Sequence, residues 1–119
     1  MCNVLVVDDD VLVRNSIAAM LTSLKHDVIQ AKDGLEALSV YKSTNVEISI
    51  VIMDIKMPVL DGIEATILIK EFNHHAKIIL MSGYSEKIPS KAKPSAFLAK
   101  PFTRAELGEI VHLVMKSAS

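Results

Sequence analysis

Nothing in this sequence is present in large excess. There is one cysteine, Cys2, so no intrachain disulfide can form, and a reducing, cytoplasmic setting is the simplest expectation. Neither charge sign dominates: 13 Lys and Arg face 14 Asp and Glu, for a formal net charge of -1. That balance argues against wholesale binding to nucleic acid or to an anionic membrane. Uninterrupted apolar runs are a few residues long, far short of a membrane span. No apolar segment precedes Cys2 to mark a secretory or lipidated start. Internal repeats, low-complexity stretches and linkers are missing. So are G-x-G-x-x-G and G-x-x-x-x-G-K-[ST], which disfavours nucleotide binding. The chain has 119 residues, half of them hydrophobic, which suits one domain over 1–119 with a core that needs no staples.

Apolar runs and helical periods alternate along the chain. Asn3 to Asp8 is a Val-rich run that reads as a strand buried on both faces. Val11 to Lys25 follows a helical period, with Val13, Ile17, Met20, Leu21 and Leu24 on one face and Asp9 or Asp10 as cap. Asp27 to Ala31 is a weaker strand. Asp33 and Glu36 have capping-box spacing and open a helix to about Ser43. Ile48 to Asp54 is the most hydrophobic strand. Asp61 and Glu64 repeat the box ahead of a helix to about Asn73, and Lys77 to Ser82 and Ser95 to Ala99 are two further strands. Thr103 and Glu106 form a third box before a closing helix that buries Leu107, Ile110, Val111 and Val114. The pattern predicts an α/β fold: a doubly wound, five-stranded parallel sheet of flavodoxin-like (βα)5 type. Ser85 to Pro94 holds Pro89 and Pro94 and little periodicity, so the fourth helix is expected to be shortened and irregular.

Ligands of an open parallel sheet bind outside the C-terminal ends of its strands. The first strand delivers Asp8 and Asp9 to that edge, the third Asp54 and the fourth Ser82, with Lys100 just past the fifth. Hydrophobic patterning requires none of these. Three carboxylates within about 5 Å repel, at roughly 3 kcal/mol per pair for an effective dielectric of about 20. Either some are protonated or a cation sits among them. Hard oxygen donors without a nearby Cys or His favour Mg²⁺ or Mn²⁺ over zinc. Lys100 and Ser82 could supply a charge and a hydrogen bond to phosphate oxygens, which leaves Asp54 as a candidate carboxylate nucleophile able to form an acyl phosphate.

Over essentially its full length the sequence resembles a response-regulator receiver domain of two-component signalling. The matching pieces are Val6 to Asp9, Met53 to Gly62, Leu80 to Gly83 and Phe97 to Phe102, in order and at suitable spacing. The resemblance implies that Asp54 is the phosphoacceptor, Asp9 the direct carboxylate ligand of Mg²⁺, and Asp8 the acid that holds a metal-bound water. It implies that the Lys56 main-chain carbonyl completes the metal site and that Lys100 pairs with the phosphoryl group. It further implies that Ser82 is the hydroxyl that moves to hydrogen-bond that group, and Phe97 the aromatic switch that turns inward with it. The Lys100–Pro101 bond matches one that is usually cis. The implied partner is a sensor histidine kinase or a histidine phosphotransfer domain, with no nucleic acid and no membrane contacted by this domain. The implied activity is a phosphoacceptor switch with slow self-dephosphorylation rather than an enzyme. A stand-alone regulator and a receiver from a larger protein, such as a hybrid kinase, stay open.

Plainer readings stand beside these. One of Asp8 to Asp10 serves as a helix cap, and Asp54 could be only the salt-bridge partner of Lys100. Ser82 could be a turn serine and Phe97 a core aromatic. Asp61 and Gly62 read as a turn and cap without chemistry, His74 and His75 as a solvated helix end, and His26 and His112 as surface residues. Lys87, Lys91, Lys93 and Arg104 read as a solvated basic face, or alternatively as a partner surface. A non-phosphorylated interaction module is the second functional reading. A haloacid-dehalogenase-type phosphatase is disfavoured because position 56 is Lys where that class has its general acid. Relative to the resembled family, Lys56 and Tyr84 occupy places that tune acyl-phosphate hydrolysis. Gly83 replaces a small residue, often alanine, and would loosen its loop. The segment from Ser82 to Phe97 looks short, which puts dimerisation through the fourth helix in doubt.

Overall fold

The computed structural model describes residues 2–83 and 92–117. Five strands form one parallel sheet: β1 (Asn3–Val7), β2 (Asp27–Ala31), β3 (Ile50–Asp54), β4 (Ile78–Ser82) and β5 (Ala96–Ala99). Among the described residues four helices cover it: α1 (Val11–Ser23), α2 (Gly34–Ser43), α3 (Gly62–Phe72) and α4 (Arg104–Lys116). The α/β, flavodoxin-like expectation holds. Of the Ser85–Pro94 segment, where a shortened fourth helix was expected, 85–91 lie outside the described residues, and 92–94 are not helical.

The sheet order is β2-β1-β3-β4-β5. Because β1 lies between β2 and β3, the chain winds outward in opposite directions from it, and the crevice between the C-terminal ends of β1 and β3 is the switch point of the sheet. Alternate residues of the central strands point to opposite faces, and both faces are apolar. Val4, Val6, Ile50, Ile52, Ile79 and Met81 join α1 and α4 in one core. Leu5, Val7, Val51, Met53, Ile78 and Leu80 join α2 and α3 in the other. Two-sided burial is why these strands read as continuous hydrophobic runs. No helix among the described residues is long and apolar enough to cross a membrane.

Boundaries differ from the sequence reading where tertiary pairing decides them. β3 begins at Ile50 rather than Ile48, because Ile50 is the first residue paired with Val4 of β1. Ile48 packs instead against the core under α2 and α3. The first helix stops at Ser23, short of Lys25. Lys25 turns into the left-handed region at φ 74. The His26 amide then donates to the Leu21 carbonyl at 3.0 Å, and the Lys25 amide to Thr22 at 3.0 Å. That is a Schellman termination, with lysine where glycine is usual. The capping boxes at Asp61/Glu64 and Thr103/Glu106 close on both sides. The one at Asp33/Glu36 closes on one: Asp33 accepts from the Glu36 amide at 2.8 Å, while the Glu36 carboxylate accepts from Lys32 at 2.8 Å. With Asp33 fully extended at φ -159 and ψ 176, the Lys32 N–H is the donor within reach.

Candidate functional site

The acidic end of β1 divides three neighbouring aspartates between distinct tasks. Asp10 caps α1, its Oδ1 accepting from the Leu12 amide at 3.0 Å and the Val13 amide at 3.4 Å. Asp8 is buried, with 1% of its surface exposed. Its Oδ1 accepts from the Asp10 amide at 3.0 Å. Asp9 is exposed.

β3 brings up Asp54, its side chain 15% exposed. The segment beyond it is held by main-chain bonds: Ile55 donates to Met81 at 3.1 Å, and Gly62 donates back to Ile55 at 2.8 Å. A three-residue turn follows the Lys56-Met57-Pro58 stretch. The Leu60 amide donates to the Pro58 carbonyl at 2.8 Å around Val59, which sits at φ 71. Each of Asp8, Asp9 and Asp54 offers a carboxylate oxygen within 4.8 Å of the others. Among the described residues this is the one group of His, Cys, Asp or Glu side chains close enough to hold an ion.

Lys100 arrives from the end of β5, its amide donating to the Ser82 carbonyl at 2.9 Å. Its Nζ lies 3.2 Å from Asp8 Oδ2 and 3.3 Å from Asp54 Oδ1. The Lys100–Pro101 peptide is cis. Three carboxylates and one ammonium leave a net of two formal negative charges, which matches a dication. Oxygen donors, one of them exposed, fit Mg²⁺ chemistry, in which part of the shell stays open to water and phosphate.

Burial pushes the Asp54 carboxyl above its ordinary value, the Lys100 ammonium pulls it back, and the charges of Asp8 and Asp9 push it up again. The net direction is upward. For Lys100, burial alone would lower the pKa, but the carboxylates of Asp54 and Asp8 outweigh it, and the ammonium sits above the usual lysine value. Asp54 is therefore ion-paired yet not fully compensated. Its proton affinity is high for a salt-bridged aspartate.

Ser82 ends β4 one residue beyond Met81, the register partner of Asp54, and is half-buried. Lys56 is exposed and lines a cavity with Asp9, Met57, Pro58 and Asp61 on the flank of the acids. Phe97 is not a core aromatic: it is 51% exposed on the edge strand β5. Tyr84, Lys87 and Lys91 lie outside the described residues; Lys93 and Arg104 are exposed. His74, His75 and His112 are exposed as expected, whereas His26 is half-buried. Its Nδ1 lies 3.3 Å from Cys2 Sγ. The Asp27 amide donates to the Cys2 carbonyl at 3.0 Å, which aligns the two residues at the entry of adjacent parallel strands. Burial pushes the His26 imidazole down and the Cys2 thiol up. Gly83 has no left-handed backbone, and a Cβ there would meet open space, so glycine is not required at that position.

Two contributors escaped the sequence reading. A Cβ on Gly62 would fall on the Asp54 carbonyl oxygen and the Ile55 Cα, so this glycine lets α3 start against the strand end that carries Asp54. A glycine directly after a capping aspartate, where a helix-former would serve better, is the signal that could have exposed it. The second is Arg14, whose Nη1 donates to the Asp8 carbonyl at 2.8 Å.

A family model described as the response regulator receiver domain matches residues 4–112. The chain is 36% identical over 116 residues to the chemotaxis protein CheY of Halobacterium salinarum, covering 94% of this chain and 95% of that protein. Among solved structures, one match is in a CheX–CheY–BeF3–Mg²⁺ complex from Borrelia burgdorferi, with TM-score 0.90, 34% identity, and coverage of 98% of this chain and 90% of that one. Another is the receiver domain of a sensor histidine kinase from Pseudomonas aeruginosa, with a magnesium ion coordinated in its active-site cleft. There the TM-score is 0.88, the identity 30% and the coverage 98% of each chain.

Proposed function

The chain belongs to the response regulator receiver domain family of two-component signalling proteins, and we propose that Asp54 is the carboxylate through which it accepts a phosphoryl group and switches. The observation that carries this is the placement of Asp54 at the sheet's switch point, beside Asp8 and Asp9 and 3.3 Å from Lys100 Nζ. A purely structural salt bridge would hold its carboxyl low; here burial and two like charges hold it high. A carboxyl raised by burial and by like charges, beside a paired ammonium at a sheet's switch point, suits a working site.

The donor in this reading is a phosphohistidine on a sensor histidine kinase or a phosphotransfer domain. An Asp54 carboxylate oxygen attacks phosphorus, the P–N bond breaks, and the imidazole leaves with the electron pair. The product is an aspartyl phosphate. Asp9 and Asp54, Asp8 through water, and the main-chain carbonyl of Lys56 are the groups that would hold Mg²⁺, or Mn²⁺ of the same donor preference, which when bound supplies positive charge against the phosphoryl oxygens. Lys100 is drawn to the same oxygens, and moving from carboxylate to phosphoryl keeps its ammonium paired. Ser82 then donates its hydroxyl to the phosphoryl group. Phe97 has surface left to bury, worth about 1 kcal/mol when half a phenylalanine leaves water, and packs inward as the switch. Hydrolysis of the acyl phosphate by the chain itself is slow and resets it. Residues 1–119 act as a single receiver domain. A cytoplasmic setting belongs to the proposal and rests on the single thiol, Cys2.

Incubation with acetyl phosphate and Mg²⁺, followed by intact mass, tests the reading. Wild type gains one phosphoryl group and Asp54→Ala gains none. No gain on wild type, or the same gain on Asp54→Ala, overturns it in favour of a non-phosphorylated interaction module.

A further inference from the structure

Asp9 is the exposed member of the acidic group, and its carboxylate makes no hydrogen bond with any described residue. Asp8, by contrast, is fastened on several sides. Its amide donates to Ala31 at 3.3 Å, its Oδ1 accepts from Asp10 at 3.0 Å, and its Oδ2 faces Lys100 at 3.2 Å. Its carbonyl oxygen accepts from Arg14 Nη1 at 2.8 Å. That carbonyl shares one rigid peptide plane with the Asp9 amide. A bond that fixes the oxygen therefore fixes the direction in which the Asp9 residue leaves the strand.

Arg14 is itself braced. Its main chain sits in the first turn of α1, donating to Asp10 at 2.9 Å. Its Nε donates to Gln30 Oε1 on β2 at 2.9 Å. The guanidinium thus ties the helix, the edge strand and the acidic corner with a planar fork that lysine cannot copy. We infer that Arg14 is a positioning residue for the divalent cation site, acting through the Asp8–Asp9 peptide with Gln30 as its support. The inference rests on the reading of Asp8, Asp9 and Asp54 as that site. The competing role is purely structural: a half-buried arginine satisfying a strand-end carbonyl that would otherwise be an orphan acceptor.

Outer groups that orient metal ligands are worth about 10- to 100-fold in metal affinity. Calorimetric titration of Mg²⁺ into the unphosphorylated chain, with thermal melts in EDTA, separates the two roles. Arg14→Ala raises the Mg²⁺ dissociation constant by about 10-fold or more, Gln30→Ala raises it less, and Arg14→Lys falls between wild type and Arg14→Ala. Acetyl-phosphate labelling of Arg14→Ala is slow at low Mg²⁺ and recovers at saturating Mg²⁺. A wild-type dissociation constant in Arg14→Ala, whatever its melting temperature, overturns the inference, as does a labelling defect that saturating Mg²⁺ does not repair. Should Arg14→Ala fail to fold, Arg14→Lys and Gln30→Ala carry the same comparison, and wild-type affinity in both is the contrary result. Wild type that binds no Mg²⁺, or Asp9→Asn that binds it as tightly as wild type, brings down the underlying metal-site reading instead.

Discussion

The ammonium of Lys100 stands 3.3 Å from the Asp54 carboxylate, and the Asp54 carboxyl is nevertheless held above its ordinary value. Lys100 divides its charge between Asp54 and the buried Asp8, 3.2 Å away, so neither acid receives the whole of it.

This sets a stability signature for Asp54. Burial first, then the charges of Asp8 and Asp9, raise its folded-state pKa above the unfolded value of 3.8. Between those two values the folded chain binds more protons than the unfolded chain, so stability falls as pH rises through that window. Asp54→Asn removes the uncompensated charge and should be more stable than wild type at neutral pH in EDTA, with the gap closing toward about pH 4. Denaturant unfolding at a series of pH values checks it; equal or lower stability of the variant at neutral pH contradicts it.

Lys100 has the opposite sign. Although burial opposes its charge, Asp54 and Asp8 raise its pKa above 10.5. Its contribution is fully present below that value and is lost as pH climbs through the folded pKa. Lys100→Met leaves the buried Asp8 without its cation and should cost about 2–3 kcal/mol at neutral pH, with labelling by acetyl phosphate much slowed. The stability difference from wild type should shrink in the alkaline range, as Lys100 loses its proton, and again in acid, as Asp54 gains one.

Lys56 places a long side chain beside Asp9 in the cavity flanking the acids. Shortening it in Lys56→Asn opens room for water while keeping the main-chain carbonyl. Labelling of Asp54 should persist, and the phosphorylated form should decay several-fold faster. Phosphoprotein half-life measured by mass spectrometry after removal of the donor decides the matter, and an unchanged half-life counts against the role.

Gly62 and Gly83 make a matched pair. An added methyl at Gly62 meets the main chain of Asp54 and Ile55, which cannot step aside, whereas at Gly83 it meets nothing. Gly62→Ala should lose about 2–3 kcal/mol and much of its labelling. Gly83→Ala should be neutral or gain up to about 1 kcal/mol from reduced freedom of the unfolded chain. Comparable losses in both variants would show that the close approach of Gly62 is not what matters.

Local chemistry determined a good deal of this molecule. Apolar runs bounded by caps place the central strands β1, β3 and β4, because burial on both faces demands unbroken hydrophobicity. The acids that follow Val7 and Met53 are legible because nothing in a buried strand asks for them. The cap at Asp10 and the boxes at Asp61 and Thr103 are equally local, since a helix start is satisfied within three residues. Tertiary structure decided the rest. Asp8 and Asp9 are neighbours of identical chemistry, yet the fold buries one and leaves the other exposed. The sheet order places β1 beside β3, which turns two separate strand ends into one acidic group. Lys100 meets Asp8 across 92 residues of chain, Arg14 reaches back onto the Asp8 carbonyl, and Gly62 fits against Asp54. These are contacts between elements. Periodicity and capping act over one or two turns of chain, whereas distances between strand ends follow from which strands pair and how the helices cross between them.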